Sequence, residues 1–203
     1  PNQISDEFYS YGQPREIDVL VQARKSSQYL MQQLVPALQQ HCRVRVVDSY
    51  VEDLPGLFNQ AKVYLYDSAE YWALQGVSEG FGLQPLEAMA CGCRVFSSVN
   101  GGLSDYLDPG FNCQKIAVYS QSYDVQRILA SLDLPPVEIG DLLQEYRTAN
   151  ILRRLDWILT DLNQFFDHKA QQPASIPAFT RLRLLNLKRQ QLWQKLKKRY
   201  LAR

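Results

Sequence analysis

Histidine and cysteine are scarce in this 203-residue chain, and the two His and four Cys match no metal-ligand spacing. No metal is therefore expected, and no motif calls for another cofactor. Cys42, Cys91, Cys93 and Cys113 read as reduced thiols, with the Cys91-x-Cys93 pair buried at a helix end. That usage implies a reducing, cytoplasmic setting. Long apolar runs are missing too: none approaches the ~20 residues of a membrane span. No signal-peptide pattern opens the sequence. What remains is ordinary soluble material, 46% hydrophobic and 21% charged, enough for one solid domain or a domain with an appendage.

Acids are absent from one region in particular. Residues 180–203 hold nine of the 22 Lys and Arg and no Asp or Glu, so 13 bases face all 21 acids elsewhere. The net charge of +1 thus conceals an acidic body and a basic tail. The tail reads as a helix from Thr180 to Ala202 with Leu182, Leu185, Leu192, Leu196 and Tyr200 in a stripe and Trp193 beside it. Such a helix suits an anionic membrane surface as a peripheral contact. It suits equally a place on the acidic body or on a further domain. No recognition motif accompanies the charge, so nucleic acid is not an expected partner.

The most informative stretch is Ser78 to Cys93, SEGFGLQPLEAMACGC. Glu79, Gly80, Phe81, Gly82 and Leu83 form a glycine-bracketed loop that leads into a short helix. Pro85 fits a first helical position and Gly92 a left-handed terminator, which predicts two turns over Pro85–Cys91. Backbone N–H groups of the loop and the positive helix end together suit an anion such as phosphate. Glu87, predicted in the first turn, has Gln84 and not Ser or Thr three residues earlier, so no capping box claims it. It is free either to complement the helix dipole or to accept hydrogen bonds from a ligand diol.

With those residues in view, the spacing Glu-x7-Glu around GFGLxxLEAMACG resembles the signature of the retaining, nucleotide-sugar-dependent glycosyltransferases of the GT-B fold, the group 1 family. The segment CRVFSSVNGGLSDYLDPGFNCQKI resembles the strand, Gly-Gly turn, acidic helix and closing strand that follow in that family. The likeness covers about Pro1 to Ala117. It implies that Glu79 contacts the donor sugar, that Gly80, Phe81, Gly82 and Leu83 hold the diphosphate, and that Glu87 binds the ribose hydroxyls. Arg24 resembles the Arg of the family's Gly-Arg pair on the diphosphate, a group that a forked, permanently charged guanidinium suits. Two departures stand out. Ala23 replaces the Gly, and the family's later Lys is replaced by Gln28 or Tyr29, leaving the adjacent Lys25 to take its part from a shifted backbone.

The rest of the chain predicts an α/β fold: a Rossmann-like parallel sheet of about five strands with flanking helices and a C-terminal helical extension. Strands are expected at Ile17–Gln22, Cys42–Val47, Val63–Tyr66, Arg94–Ser97 and Gln114–Val118. A helix capped by Ser26 or Ser27 should run from Gln28 to Gln40 with a kink or break at Pro36. Leu54, Leu57 and Phe58 mark a helix before the third strand, and one further strand–helix unit of the family is missing there. Tyr71, Trp72 and Leu74, before Glu79, suit either a lid over the donor or a hydrophobic plug. Ser104 or Asp105 should start a brief helix. From Ser122 the pattern is helical, with one or two amphipathic helices over Ile139–Asp167 and a linker over Gln171–Pro177.

These observations divide the chain into an interdomain hinge (1–9), a donor-binding domain (10–135) and a helical extension (136–203). The opening residues alone read as a frayed terminus; beside the family they resemble the hinge that follows an acceptor-binding N-terminal domain, absent here. The expected function is the donor-binding half of a glycosyltransferase, passing a sugar from a nucleotide-sugar to a hydroxyl acceptor with retention. Glu79 and Arg24 are its catalytic residues, and Lys25 joins the donor contacts. The resemblance implies front-face departure, with a donor phosphate taking the acceptor proton. Two rivals keep the fold without the chemistry: a nucleotide-sugar-binding module, and a membrane or assembly scaffold.

Overall fold

The computed structural model describes residues 2–172 and 180–201. Five strands, β1 (Ile17–Gln22), β2 (Val44–Val47), β3 (Ala61–Tyr66), β4 (Arg94–Ser97) and β5 (Cys113–Lys115), form one parallel sheet in the order β2-β1-β3-β4-β5. Every neighbouring pair is parallel, with Val19 opposite Val44 and Val63. Parallel strands need covered faces, and the alternation of side chains supplies two cores. Leu20, Tyr64, Tyr66 and Val95 point to one face and pack with Leu57, Phe58, Leu86 and Met89. Val19, Val21, Val63, Leu65 and Phe96 point to the other and meet Leu30, Leu34, Leu38 and Ile128.

The helix after β1, α1, starts as a π-helical stretch over Leu30–Leu34 and ends as α-helix over Val35–Leu38. Ser27 caps it, its hydroxyl oxygen accepting from the Leu30 N–H at 3.0 Å. The expected break at Pro36 takes the form of this widened turn. Proline has no N–H to donate and crowds the carbonyl four residues back, and a π segment relieves both. Helix α2 (Leu54–Asn59) is capped by Asp53, whose Oδ1 accepts from the Gly56 N–H at 2.8 Å. Two short helices follow, α3 (Ala69–Leu74) after β3 and α4 (Leu83–Ala90) before β4. A 3-10 turn over Gly101–Asp105 begins at the glycine pair, earlier than the helix expected from Ser104. β5 stops short of Val118, which is exposed.

Helices α5 (Gln121–Ser131), α6 (Gly140–Tyr146), α7 (Thr148–Gln171) and α8 (Arg181–Leu201) complete the described chain. Residues through Leu155 form one compact unit, and Asp156 onward a second. In the second unit Leu182, Leu185, Leu192 and Trp193 are exposed along α8. The side chains of Leu196 and Tyr200, and most of the Gln171–Pro177 linker, lie outside the described residues. No described helix is long and apolar enough to cross a membrane.

The structure corrects the reading of the chain's start as a frayed terminus. From Ile4 onward the segment is packed: Ile4 is fully buried, and its N–H donates to the Tyr146 carbonyl at 3.0 Å. Arg147 donates to the Ser5 and Phe8 carbonyls at 2.8 and 2.7 Å. Arg15, which no motif singled out, acts as a clasp. Its guanidinium donates to the carbonyls of Phe58, Ala61 and Cys91, joining the ends of α2, β3 and α4. Removing the guanidinium would take the donor from the Cys91 carbonyl and leave those of Phe58 and Ala61 with the weak Cys93 thiol, so Arg15→Ala should cost about 2 kcal/mol, read as a lower urea midpoint.

Candidate functional site

Open parallel sheets bind ligands outside the carboxyl ends of their strands, where neighbouring strands send their connections to opposite faces. In the order β2-β1-β3 that point lies between β1 and β3. A cleft of about 330 Å³ opens there, lined by Asn2, Gln22, Arg24, Lys25, Tyr66, Glu79, Gly82, Leu83 and Gln84. Gln22 and Tyr66 are the last residues of β1 and β3. The structure thus brings together five of the eight residues expected at the site: Arg24, Lys25, Glu79, Gly82 and Leu83.

The floor of the cleft is the entry to α4. Gly82 adopts a left-handed conformation (φ 68°) as the residue before the helix, so α4 begins at Leu83. Pro85 therefore occupies the third helical position, not the first; its missing N–H still falls in the turn that has no intrahelical acceptor. Gly92 ends the helix as predicted, at φ 82°. Among the described residues no acceptor meets the N–H groups of Gly80, Phe81, Gly82 or Leu83. From below, the Tyr106 hydroxyl donates to the Gly82 carbonyl. Phe81 turns its ring away from the cleft onto Tyr106 and Tyr146, with centroids 5.1 and 5.4 Å apart. Its side chain is a wedge that fixes the loop. Gly80 is exposed and leaves the cleft lining.

A second loop supports the first. The Gly102 N–H donates to the Glu79 carbonyl at 3.1 Å. A Cβ on Gly101 would overlap that carbonyl oxygen, and a Cβ on Gly102 would overlap the Gly80 carbonyl oxygen. The glycine pair is required by this approach of backbone to backbone.

Glu79 lies in the wall, 7% exposed. Burial alone would push its carboxyl up, but donors from Tyr66, Trp72 and Ser68, with Lys25 nearby, hold it below the usual range. It is therefore an anion at neutral pH. Two cations, Arg24 and Lys25, line the same cleft. The Arg24 N–H donates to Gln22 Oε1 at 3.1 Å, and the Gln22 amide donates to Gln84 Oε1 at 3.1 Å. Lys25 adopts a left-handed backbone (φ 64°), so the glycine-like turn sits there and not at Ala23. Its ammonium lies 4.6 Å from the centre of the Trp72 ring.

Glu87 is placed apart from the others. It is the fifth residue of α4, beyond the first turn, so it does not complement the helix dipole as an end charge. It lies one turn past Gln84 on the same face and outside the cleft lining. No donor among the described residues meets its carboxylate, and burial pushes that group up to about 7. α3 holds Trp72 beside Glu79, outside the lining of the cleft. Sequence reasoning missed Gln22, Gln84, Tyr66 and Asn2. A polar residue closing a buried strand, as Gln22 does, was a legible sign; Tyr66 gave none.

With this geometry in hand, the comparisons can be stated. The family model described as glycosyl transferases group 1 matches residues 24–134, more than half of the chain. The chain belongs to that family. Among curated proteins none is matched by sequence. Among solved structures, the crystal structure of the pneumococcal O-GlcNAc transferase GtfA in complex with UDP and GlcNAc is similar, at a TM-score of 0.53 and 16% identity. The likeness covers 76% of this chain and 37% of that one, and it is a likeness of fold. The chain therefore spans little more than a third of the length of that protein. As a member of the group 1 glycosyltransferase family it carries a Rossmann-like parallel sheet of five strands.

Proposed function

We propose that the cleft holds the diphosphate and sugar of a nucleotide-sugar, and that this chain is the donor-binding half of a retaining glycosyltransferase. One observation carries the reading. Arg24, Lys25 and the free N–H groups at the mouth of α4 converge on a single cleft that also contains the anionic Glu79. The two cations and the helix end face the diphosphate, where negative charge grows as the sugar departs. Lys25 supplies, from its left-handed turn, the cation that Gln28 and Tyr29 cannot. Glu79 receives a sugar hydroxyl, and Glu87 receives the ribose diol further along α4.

Retention is what the resemblance implies, and the carboxylate count argues against a covalent double displacement as its route. Displacement by two enzyme carboxylates needs a nucleophile and a separate acid–base group. Among the described residues Glu79 is the one carboxylate lining the cleft. Departure on the same face, with a phosphate oxygen of the donor taking the acceptor proton, asks for no second one. The acceptor must be positioned by groups outside this cleft, so the chain alone should bind donor and turn over little.

GtfA was crystallised with UDP and GlcNAc, which makes UDP and UDP-GlcNAc the first ligands to titrate, followed by the GDP and ADP pairs. Calorimetry should find binding of at least one conjugate, weakened roughly tenfold by Arg24→Ala. Absence of binding by every nucleotide and conjugate would end this reading.

A further inference from the structure

Three donors from two neighbouring segments meet on one atom. The Tyr66 hydroxyl at the end of β3, the Ser68 hydroxyl and the Trp72 indole N–H of α3 donate to Glu79 Oε2 at 2.6, 3.0 and 2.7 Å. A carboxylate oxygen has about two lone-pair sites, so three donors saturate Oε2. Among the described residues no donor meets Oε1, and Glu79 lines the cleft. We propose that Tyr66, Ser68 and Trp72 are positioning residues that draw Oε2 into the protein and present Oε1 to a hydroxyl of the donor sugar.

This assignment rests on the donor reading above and deepens it. A carboxylate on a flexible side chain gains little from one ligand hydroxyl unless its rotamer is already fixed. Here charge-assisted bonds fix it before the ligand arrives. The same indole carries the Lys25 ammonium over its face, so α3 sets the anion for the sugar and a cation for the diphosphate together. A second tie secures α3: Glu70 Oε2 accepts from the Gln28 N–H at 2.6 Å, at the start of α1. Sequence alone offered Trp72 as either a lid over the donor or a hydrophobic plug. The geometry assigns it to the carboxylate.

The test compares each nucleotide diphosphate with its sugar conjugate, using UDP with UDP-GlcNAc first, by calorimetry on the 203-residue chain. The wild type should favour the conjugate. Tyr66→Phe should weaken the conjugate roughly tenfold while leaving the bare diphosphate within about twofold, and Trp72→Phe, which also alters the face under Lys25, should weaken the conjugate more than the diphosphate. Equal weakening of both ligands, or no change in either, would overturn the assignment. Tyr66→Phe removes only a hydroxyl and carries the test if Trp72→Phe fails to fold.

A second readout is spectroscopic. The Trp72 indole N–H resonance, assigned by its loss in Trp72→Phe, should lie downfield and move in Glu79→Gln. An unshifted resonance in Glu79→Gln would count against the bond itself. If the wild type binds diphosphate and conjugate equally, the positioning proposal fails and the nucleotide site survives. If it binds neither, the donor reading fails and this assignment falls with it.

Discussion

Affinity for a nucleotide-sugar should fall as pH is lowered through about 7, roughly tenfold between about pH 8 and about pH 6. The cause is Glu87, whose carboxyl burial raises from 4.5 to about 7. Only its ionised form accepts two hydrogen bonds from a diol, so protonation removes the interaction. The conjugate is the right probe because its diphosphate is esterified at both ends and does not titrate in this range. Nearby groups do not confuse the profile: burial pushes the Cys91 thiol up to about 12 and the Tyr64 phenol well above its usual value. Glu87→Gln should bind at every pH as weakly as the protonated wild type. A flat wild-type profile would place the ribose elsewhere.

The same residue makes a statement about stability with the opposite preference. Its folded-state pKa lies above the unfolded value, so charging it opposes folding. Stability is full below 4.5 and declines as pH rises from there to about 7, by about 3 kcal/mol in all. Glu87→Gln should therefore raise the urea midpoint at about pH 8 by a corresponding amount and leave it unchanged at about pH 4. A variant that is more stable and binds less is the combined signature of a carboxylate kept for a ligand.

Gly102→Ala should be the most damaging single methyl group in the unit. Its Cβ would overlap the Gly80 carbonyl oxygen, which belongs to backbone and has no rotamer to yield. The expected cost is about 3 kcal/mol, with at least a tenfold loss of donor affinity as the first loop is pushed from its place. Gly80→Ala is the control. A Cβ there meets nothing within 4 Å, so thermal stability should hold, and any weaker binding would report ligand approach alone. Similar stability for the two variants would mean that the loops do not interlock as described.

Much of this was legible in the letters, for reasons particular residues make clear. β1 and β4 coincide with the expected Ile17–Gln22 and Arg94–Ser97, because short β-branched or aromatic runs bounded by turn residues leave few alternatives. Glu79, Arg24 and Lys25 share a cleft because their loops follow strands that the sheet order places side by side. Pro85 misled because proline is tolerated throughout a first turn, so its position fixed the helix start only to within two residues. The packing of Ile4 under Tyr146, and the reach of Tyr66 to Glu79, depend on contacts distant in sequence. Local pattern does not encode such contacts.

The clasp made by Arg15 lies against Cys91 and Cys93, two of three deeply buried thiols. Cys91 and Cys93 are fully buried and Cys113 nearly so, with burial pushing these thiols up to about 12, 12 and 11. Thiolate, the reactive form, is therefore almost absent from the folded state, and oxidants or alkylating agents find no path to it. Chemistry at these three sulfurs should therefore wait on local or global opening of the fold around them. The chain thus carries an internal tally of its own opening events, written in covalent bonds and readable by mass.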